Sequence, residues 1–272
     1  MTQSTTPVYQ QGPEIVPGIN EITLDHPWQW IAAGWRDFQQ TPMVSLSYGL
    51  IFVAVSYLLT IFFYTGDLFY LVPPLAAGYF LVAPILAVGL YDISRRLENG
   101  EEANLSHAVS ALKRNPANLM IMGLVMMMAL LVWIMIANLV FAIFYSGVSL
   151  TIENFIPALF LSGENTGFLA AGFISGGVIA LLVFSMSVIS VPMLIDRQVD
   201  VLAAVTTSVR AMIKNPKALI LWGTLIVMFV WLGLMTFYIG FALFMPIIGH
   251  ASWHAYRDLV SLDQAQSGNA PS

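Results

Sequence analysis

Long apolar runs alternate with short polar stretches along this chain of 272 residues, and the alternation sets the elements to expect. A run of about 20 apolar residues lets a helix cross the roughly 30 Å hydrocarbon core of a bilayer. Six such helices are expected: Pro42–Tyr64, Phe69–Leu90, Ala117–Phe144, Phe168–Leu194, Pro216–Met235 and Ile239–Trp253. The last two leave only a few turn residues around Tyr238 and Gly240, so they should form a tight hairpin. Residues 1–22, rich in Thr, Gln, Pro and Gly, read as a disordered tail, and residues 259–272 as a second. Residues 23–258 between them form a single membrane domain.

The polar stretches carry a pattern of their own. Pro42, Pro116 and Pro216 each follow a helix-capping residue (Thr41, Asn115, Asn215), and each precedes a glycine by seven positions (Gly49, Gly123, Gly223). Apolar residues stand four before the proline (Phe38, Leu112, Met212), seven before (Trp35, Val109, Val209) and eleven before (Ile31, Leu105, Val205). Offsets of 4, 7 and 11 mark one face of an α-helix. The unit is therefore an amphipathic surface helix, a Thr/Asn-Pro break and a spanning helix. It recurs over about residues 25–91, 103–194 and 200–258. At each break the Thr or Asn side chain should accept a bond from an unpaired N–H of the spanning helix. Proline at the first helical position loses no bond there. It also pushes the preceding residue out of α geometry, so the chain can turn from the membrane surface into the bilayer. Each return helix has a proline of its own (Pro84, Pro192, Pro246) before a charged exit. The expected fold is all-α: a polytopic bundle of six spanning helices, built from three amphipathic-helix-plus-hairpin repeats about a pseudo-threefold axis.

Charge orients this bundle. Arg36, Arg95, Arg96, Lys113, Arg114, Arg197, Arg210, Lys214, Lys217 and Arg257 all fall on one side of the spans. The opposite connections, Thr65–Leu68 and Ser146–Gly167, carry only Asp67, Glu153 and Glu164. Cytoplasmic loops retain Lys and Arg, so both termini are expected inside. At 58% hydrophobic and 9% charged, with a mean hydropathy of +0.79, the chain is no ordinary soluble domain. The net charge of −5 comes largely from Glu14, Glu21, Asp25, Glu98, Glu101 and Glu102, and no basic patch suggests nucleic acid. With no Cys, disulfides, zinc–thiolate sites, iron–sulfur clusters and thiol chemistry are all excluded. The N-terminus lacks a basic region followed by an apolar core, so no cleavable signal peptide is expected.

Few residues point to chemistry. The first surface helix puts Trp28, Ile31, Trp35 and Phe38 on one face, which suits an anchor at the headgroup level or a docking face for a partner protein. His250 and His254 share a helix face at the spacing of two metal ligands. No third ligand is evident unless Asp258 or His107 approaches, so a polar helix terminus at the interface is the plainer reading, and neither metal nor cofactor is expected. Met122 and Met126, one turn apart, are soft ligands or adaptable filler. Gly172, Gly176 and Ala180 form a small-residue stripe that suits close helix packing, with Ser175, Ser185, Ser187 and Ser190 placed to bond across helices. Asp92, Asp196 and Asp258 stand where they can pair with the cations, each of which gains about 1 kcal/mol beside anionic lipid. No Asp, Glu, Lys or Arg lies well inside a span, which argues against a proton relay. No phosphate-cradling loop, Ser/His/Asp arrangement or carboxylate pair stands out, so no enzyme is expected.

Several blocks carry a family resemblance. They are Trp28–Asp37 with Pro42 and Tyr48-Gly49, Ala83-Pro84 with Gly89–Asp92 and Ser94–Glu98, Ser190–Arg197, Asn215-Pro216, and Trp253–Asp258. Over about residues 20–260 the chain resembles the bacterial predicted integral membrane proteins of domain of unknown function 2189. The resemblance implies a multi-helix inner-membrane protein and supplies no activity or catalytic residues. Some members carry a label likening them to cytochrome oxidase subunits. Too few histidines lie within the spans here for haem and copper ligation, which leaves at most an accessory role. The expected function is thus a non-enzymatic scaffold or assembly factor whose partners are the lipid bilayer and other membrane proteins. The alternatives are a passive channel or small-molecule/lipid transporter and, last, a haem- or metal-binding accessory subunit through His250 and His254. The central seam should separate them: a polar cavity lined by Ser, Gly and Asn138 favours transport, and a dry Leu/Ile/Met seam favours scaffolding.

Overall fold

The structure, a computed structural model, describes residues 17–66, 68, 71–144 and 166–261. Residues 1–16 and 262–272, Asp67, and the stretch holding Glu153 and Glu164 lie outside the described residues. Among the described residues the chain is helical apart from one antiparallel bridge, Ile19 to Val260. The helices are α1 (His26–Gln40), α2 (Pro42–Thr65), α3 (Val72–Leu86), α4 (Val88–Glu98), α5 (Leu105–Ser110) with a 3₁₀ turn (Ala111–Lys113), and α6 (Pro116–Phe144). They continue as α7 (Thr166–Ser187), α8 (Ser190–Asp196), α9 (Val201–Lys214), α10 (Pro216–Met235) and α11 (Phe241–Leu259).

Among the described residues four helices are long and apolar enough to cross a membrane: α2, α6, α10, and the run Thr166–Asp196 that joins α7 to α8. The other two expected spans fall short for visible reasons. Helix α3 has 15 residues before the chain kinks at Ala87 into α4, and α11 ends in His250, His254, Arg257 and Asp258. The bridge, with Asn20 N–H donating to Leu259 O and Ser261 N–H to Gly18 O, docks residues expected in the two tails, so those boundaries sat too far into the chain.

Helices α2, α6 and α10 begin at Pro42, Pro116 and Pro216, and the two resolved kinks match: Thr41 has φ −130°, ψ 52° and Asn215 has φ −125°, ψ 50°. The expected side-chain caps are not made at either kink. Backbone bonding runs on through the break, with Thr41 N–H donating to Asp37 O and Ser45 N–H to Thr41 O. The side chains act over longer range. Asn215 accepts from Ile22 N–H at 3.0 Å and donates to Asn20 O at 2.9 Å, and Asn115 donates to Val199 O at 3.0 Å.

The surface helices bury their small residues, one step away from the apolar face read in the sequence. Trp35, Leu105, Val109 and Leu112 are exposed, and Phe38 is the member of the expected face that is buried. Helix α1 instead buries Trp30, Ala33, Gly34 and Asp37. A Cβ on Gly34 would lie 2.6 Å from Ile247 O and 2.7 Å from Ala251 N, so α1 and α11 meet backbone to backbone. Ala108 of α5 lies against Gly89 of α4, and Ser208 of α9 donates to Ser185 O while accepting from Ile189 N–H. In lipid, helices gain little from burying apolar surface against one another, so small residues mark protein contacts and large apolar ones face the membrane.

Each surface helix packs on a return helix: α1 on α11, α5 on α4, α9 on α7 and α8. The spans that follow repeat this in two cases, α2 on α11 and α6 on α3, while α10 and α7 stand apart. The first seam closes on glycine, since a Cβ on Gly49 would lie 2.2 Å from Ala242 O. Gly123 and Gly223 meet their neighbours only at 3.6 Å, so the three glycines are not under equal constraint. The turn from α10 into α11 is made by Phe237 (φ 52°) and Tyr238 (φ 70°), a left-handed pair without glycine. It is held by the Tyr57 hydroxyl donating to Phe237 O at 2.6 Å.

Gly34→Val is expected to lower unfolding stability by about 1–3 kcal/mol, because the added carbons must force α1 off α11. Gly177→Ala, whose Cβ would meet nothing within 4 Å, should be neutral or stabilise by about 0.5–1 kcal/mol. Thermal unfolding of the two variants in detergent checks the contrast.

Candidate functional site

The helices that carry the Lys and Arg residues converge at one end of the bundle, and α4 is their hub, buried from Val88 to Arg95. Asp92, 1% exposed, lies at its centre. It accepts from Arg95 Nε and Arg96 Nε at 2.9 Å each, and Arg114 approaches to 3.7 Å. Arg114 also donates to Ile195 O at 2.9 Å, which ties α4 to the segment around α8. Asp196 accepts from the Tyr256 hydroxyl at 2.7 Å and pairs with Arg257 at 3.6 Å. Burial and that neighbouring carboxylate hold the Tyr256 hydroxyl well above its usual range, so it remains a donor. Asp258 takes the Trp30 indole N–H at 2.7 Å in place of the expected cation. Glu98 accepts from the Trp253 indole and from Arg257, both at 3.0 Å.

A second cluster joins α1, α2, α4 and α11. Ser94 Oγ donates to Asp37 Oδ2 at 2.6 Å and lies 2.8 Å from His250 Nδ1. The other ring nitrogen, Nε2, faces Ser45 Oγ at 3.0 Å, and His254 Nε2 lies 2.9 Å from Asp37 Oδ2. A consistent assignment has His250 neutral, with Nδ1–H donating to Ser94 and Nε2 accepting from Ser45. His250 and His254 thus do share a face, as their spacing required. His250, however, is fully buried and not at an interface, and both its nitrogens are taken by hydroxyls. Among the described residues no group of three or more His, Cys, Asp or Glu could hold a metal ion. The cluster also contains a Ser/His/Asp grouping that sequence spacing did not reveal, since Ser94 stands 57 positions from Asp37 and 156 from His250. Ser94 lies between Asp37 and His250, and Ser45, His250 and Ser94 are at most 1% exposed.

Trp28 and Trp35 stand exposed on α1, and Trp35 stacks on Phe38 with ring centroids 5.5 Å apart. Met122 and Met126 fill the core, whereas Met120, Met127, Met128 and Met135 face outward. Ser190, at the start of α8, donates back to Met186 O of α7, and Ser175 and Ser185 donate to carbonyls of their own helix, where an acceptor four residues back is within reach. Asn138 does likewise, donating to Ile134 O. The stripe on α7 is not closely packed: Gly176 meets Trp133, while Gly172 meets nothing within 4 Å.

Between α7 and α10 lies a cavity of about 620 Å³, with walls from α3, α6, α7, α10 and α11 and single residues of α2 (Phe52) and α4 (Tyr91). The wall is apolar, from Leu81 and Trp133 to Phe168, Phe184 and Val227. Its hydroxyls are Tyr91, Ser187, Thr224 and Ser252, and Asn138 is not part of it. The hollow between α7 and α10 is neither a polar conduit nor a filled apolar seam, but an apolar space with a few hydroxyls.

The model of a family described as predicted integral membrane protein (DUF2189) matches residues 71–196. The stretch runs from α3 to α8 and holds Asp92, Ser94 and Trp133, while the resembling blocks at Trp28–Asp37 and Trp253–Asp258 lie outside it. No curated protein and no solved structure matches.

Asp92→Ala should destabilise the protein by about 3–5 kcal/mol, because it leaves Arg95 largely buried without a counter-charge and leaves Arg96 with Glu101 alone. Arg114→Ala, which loses a 3.7 Å contact and one bond to Ile195 O from a 35% exposed side chain, should cost less. Denaturation of each variant in detergent measures the difference.

Proposed function

We propose that this chain, whose residues 71–196 belong to that family of integral membrane proteins, is a non-enzymatic scaffold or accessory factor of the bacterial inner membrane. Its termini and charged layer lie in the cytoplasm, and α3 and α11 cross as the second and sixth spans. Three surface-helix-plus-hairpin units make up the bundle. The matching kinks at Thr41 and Asn215 and the succession of α1 on α11, α5 on α4 and α9 on α7–α8 support that arrangement. One observation carries the scaffold reading: the chain puts its buried ion pairs and the close helix contacts at Gly34 and Gly89 into one layer at the cation-bearing end, with the indoles of Trp28 and Trp35 exposed beside it. Other membrane proteins and the headgroup layer are the partners such a surface suits, and nucleic acid is not one of them. The haem or metal reading has no support from the engaged nitrogens of His250. A second reading, lipid or small-molecule handling, is favoured by the apolar cavity. The same apolar wall disfavours an ion or water channel.

The absence of native Cys makes single-cysteine mapping clean. Cysteines at Gly66 and Phe237 should react with a membrane-impermeant maleimide from outside intact cells, and those at Glu101 and Asp200 only after permeabilisation. If α3 and α11 did not cross, Gly66 and Glu101 would label alike, and so would Phe237 and residues beyond α11. The scaffold reading predicts that Trp28→Ala with Trp35→Ala removes crosslinked membrane-protein partners in native membranes while thermal stability holds. Unchanged crosslinks would count against it.

A further inference from the structure

We infer that the cavity between α7 and α10 is a binding site for a neutral lipid: a long apolar chain ending in a single carbonyl- or hydroxyl-bearing head. The inference rests on the lipid-handling reading and adds the chemistry of the ligand.

The cavity occupies a seam that is left open among the described residues. Between α2 and α11 the helices touch at Gly49 and Ala242, and between α3 and α6 Leu130 and Trp133 press on Gly78, whose Cβ would lie 2.4 Å from Leu130 Cδ1. Between α7 and α10, by contrast, Gly172 and Gly177 face open space, and Gly223 reaches only the Phe184 ring at 3.6 Å. Three glycines thus withhold side chains from a hollow of about 620 Å³, within the range of roughly 300–1,000 Å³ typical of sites for small organic ligands.

The lining sets the ligand's polarity. Among the described residues it includes no Lys, Arg, His, Asp or Glu, so a phosphate or ammonium head would enter apolar surroundings without a counter-charge. A neutral head has partners. Tyr91 from α4, Ser187 from the end of α7 and Ser252 from α11 come from segments that join the charged layer, so they define the cavity's polar end. Ser252 lies beside the Tyr91 hydroxyl and spends its own proton on Ile248 O at 2.8 Å. With the Tyr91 proton directed at Ser252, Ser187 is the hydroxyl placed to donate to a ligand oxygen, and the Tyr91 oxygen is placed to accept from a hydroxyl head. The head then sits beside α4 and the chain rises between Phe168, Phe173 and Val227, where the seam opens sideways toward lipid.

The test uses the full-length protein, purified and reconstituted with three probes offered separately: a prenylated benzoquinone, a diacylglycerol and phosphatidylglycerol. Retained lipid is read by native mass spectrometry. At least one neutral probe should be retained over phosphatidylglycerol, and which one identifies the source of the head. Filling the hollow with Gly172→Leu and Gly177→Leu should cut that retention at least ten-fold without lowering Tm. Tyr91→Phe, which leaves the cavity's shape, should weaken it several-fold. Equal retention by the filled variant and by Tyr91→Phe would overturn the assignment. Retention of phosphatidylglycerol alone, lost on filling, would overturn the neutral head and leave lipid handling standing. If no probe is retained, both fail.

Discussion

Asp92 is a carboxylate with 1% exposure, on a helix whose residues from Val88 to Arg95 are all buried. An ion in that position is stable only if its partners are held in place, and breaking such a pair costs more than forming it gains. Arg95 and Arg96 come from its own helix, one turn on, so half the arrangement forms as soon as α4 does. Arg114 arrives from the next surface segment, and Ile195 O fixes the far side of that guanidinium. The charged layer therefore fixes how α4, the α5 turn and α8 sit together. Asp37, Ser94 and His250 do the same for α1, α4 and α11. In the bilayer there is little hydrophobic drive to set these helices against one another. Directional polar contacts at one end, reinforced by backbone contact at Gly34 and Gly89, supply what lipid does not.

What the sequence could reveal followed from what lipid demands of each residue. Spans and breaks were legible because a bilayer needs long apolar runs and because proline restricts the residue before it: α2, α6 and α10 begin at Pro42, Pro116 and Pro216. The buried faces of the surface helices were misread for a related reason. Apolar periodicity finds the side shielded from water, and in this setting lipid shields Trp35 and Val109 as well as protein would. The true contact residues, Ala33, Gly34, Ala108 and Ala111, are small and carry almost no periodic signal.

The polar clusters were legible only in part. Asp92 stood out as a charge at a helix exit, and Arg95 and Arg96 sit within one turn of it. Asp37 and Ser94 did not stand out, because a carboxylate on a surface helix and a lone serine are common and their partner lies 156–217 positions away. Asp258 was read as a partner for a cation and accepts an indole N–H. Which donor reaches a carboxylate depends on helix crossing, and crossing is set by glycine contacts that one sequence does not reveal. The four hydrophobic spans were plain for the opposite reason: α10 ends at Met235, as its apolar run alone required.

The open seam follows from the same division of labour. Two spans lock onto return helices through glycine: Gly49 meets Ala242, and Gly78 receives Leu130 and Trp133. On α7 the small residues are present, yet Gly172 and Gly177 meet nothing, and Trp133 fills the space near Gly176 from the side. A helix whose glycines contact no neighbour gives up packing and helix propensity together. The charged layer compensates by holding both flanking helices at one end: α9 grips α7 through Ser208 and Ser185 and runs directly into α10 at Pro216. The bundle is therefore pinned where its ions lie and open where it is apolar. That combination lets a bilayer component enter from the side without unfolding anything, because the contacts that define the fold are not the ones it would displace.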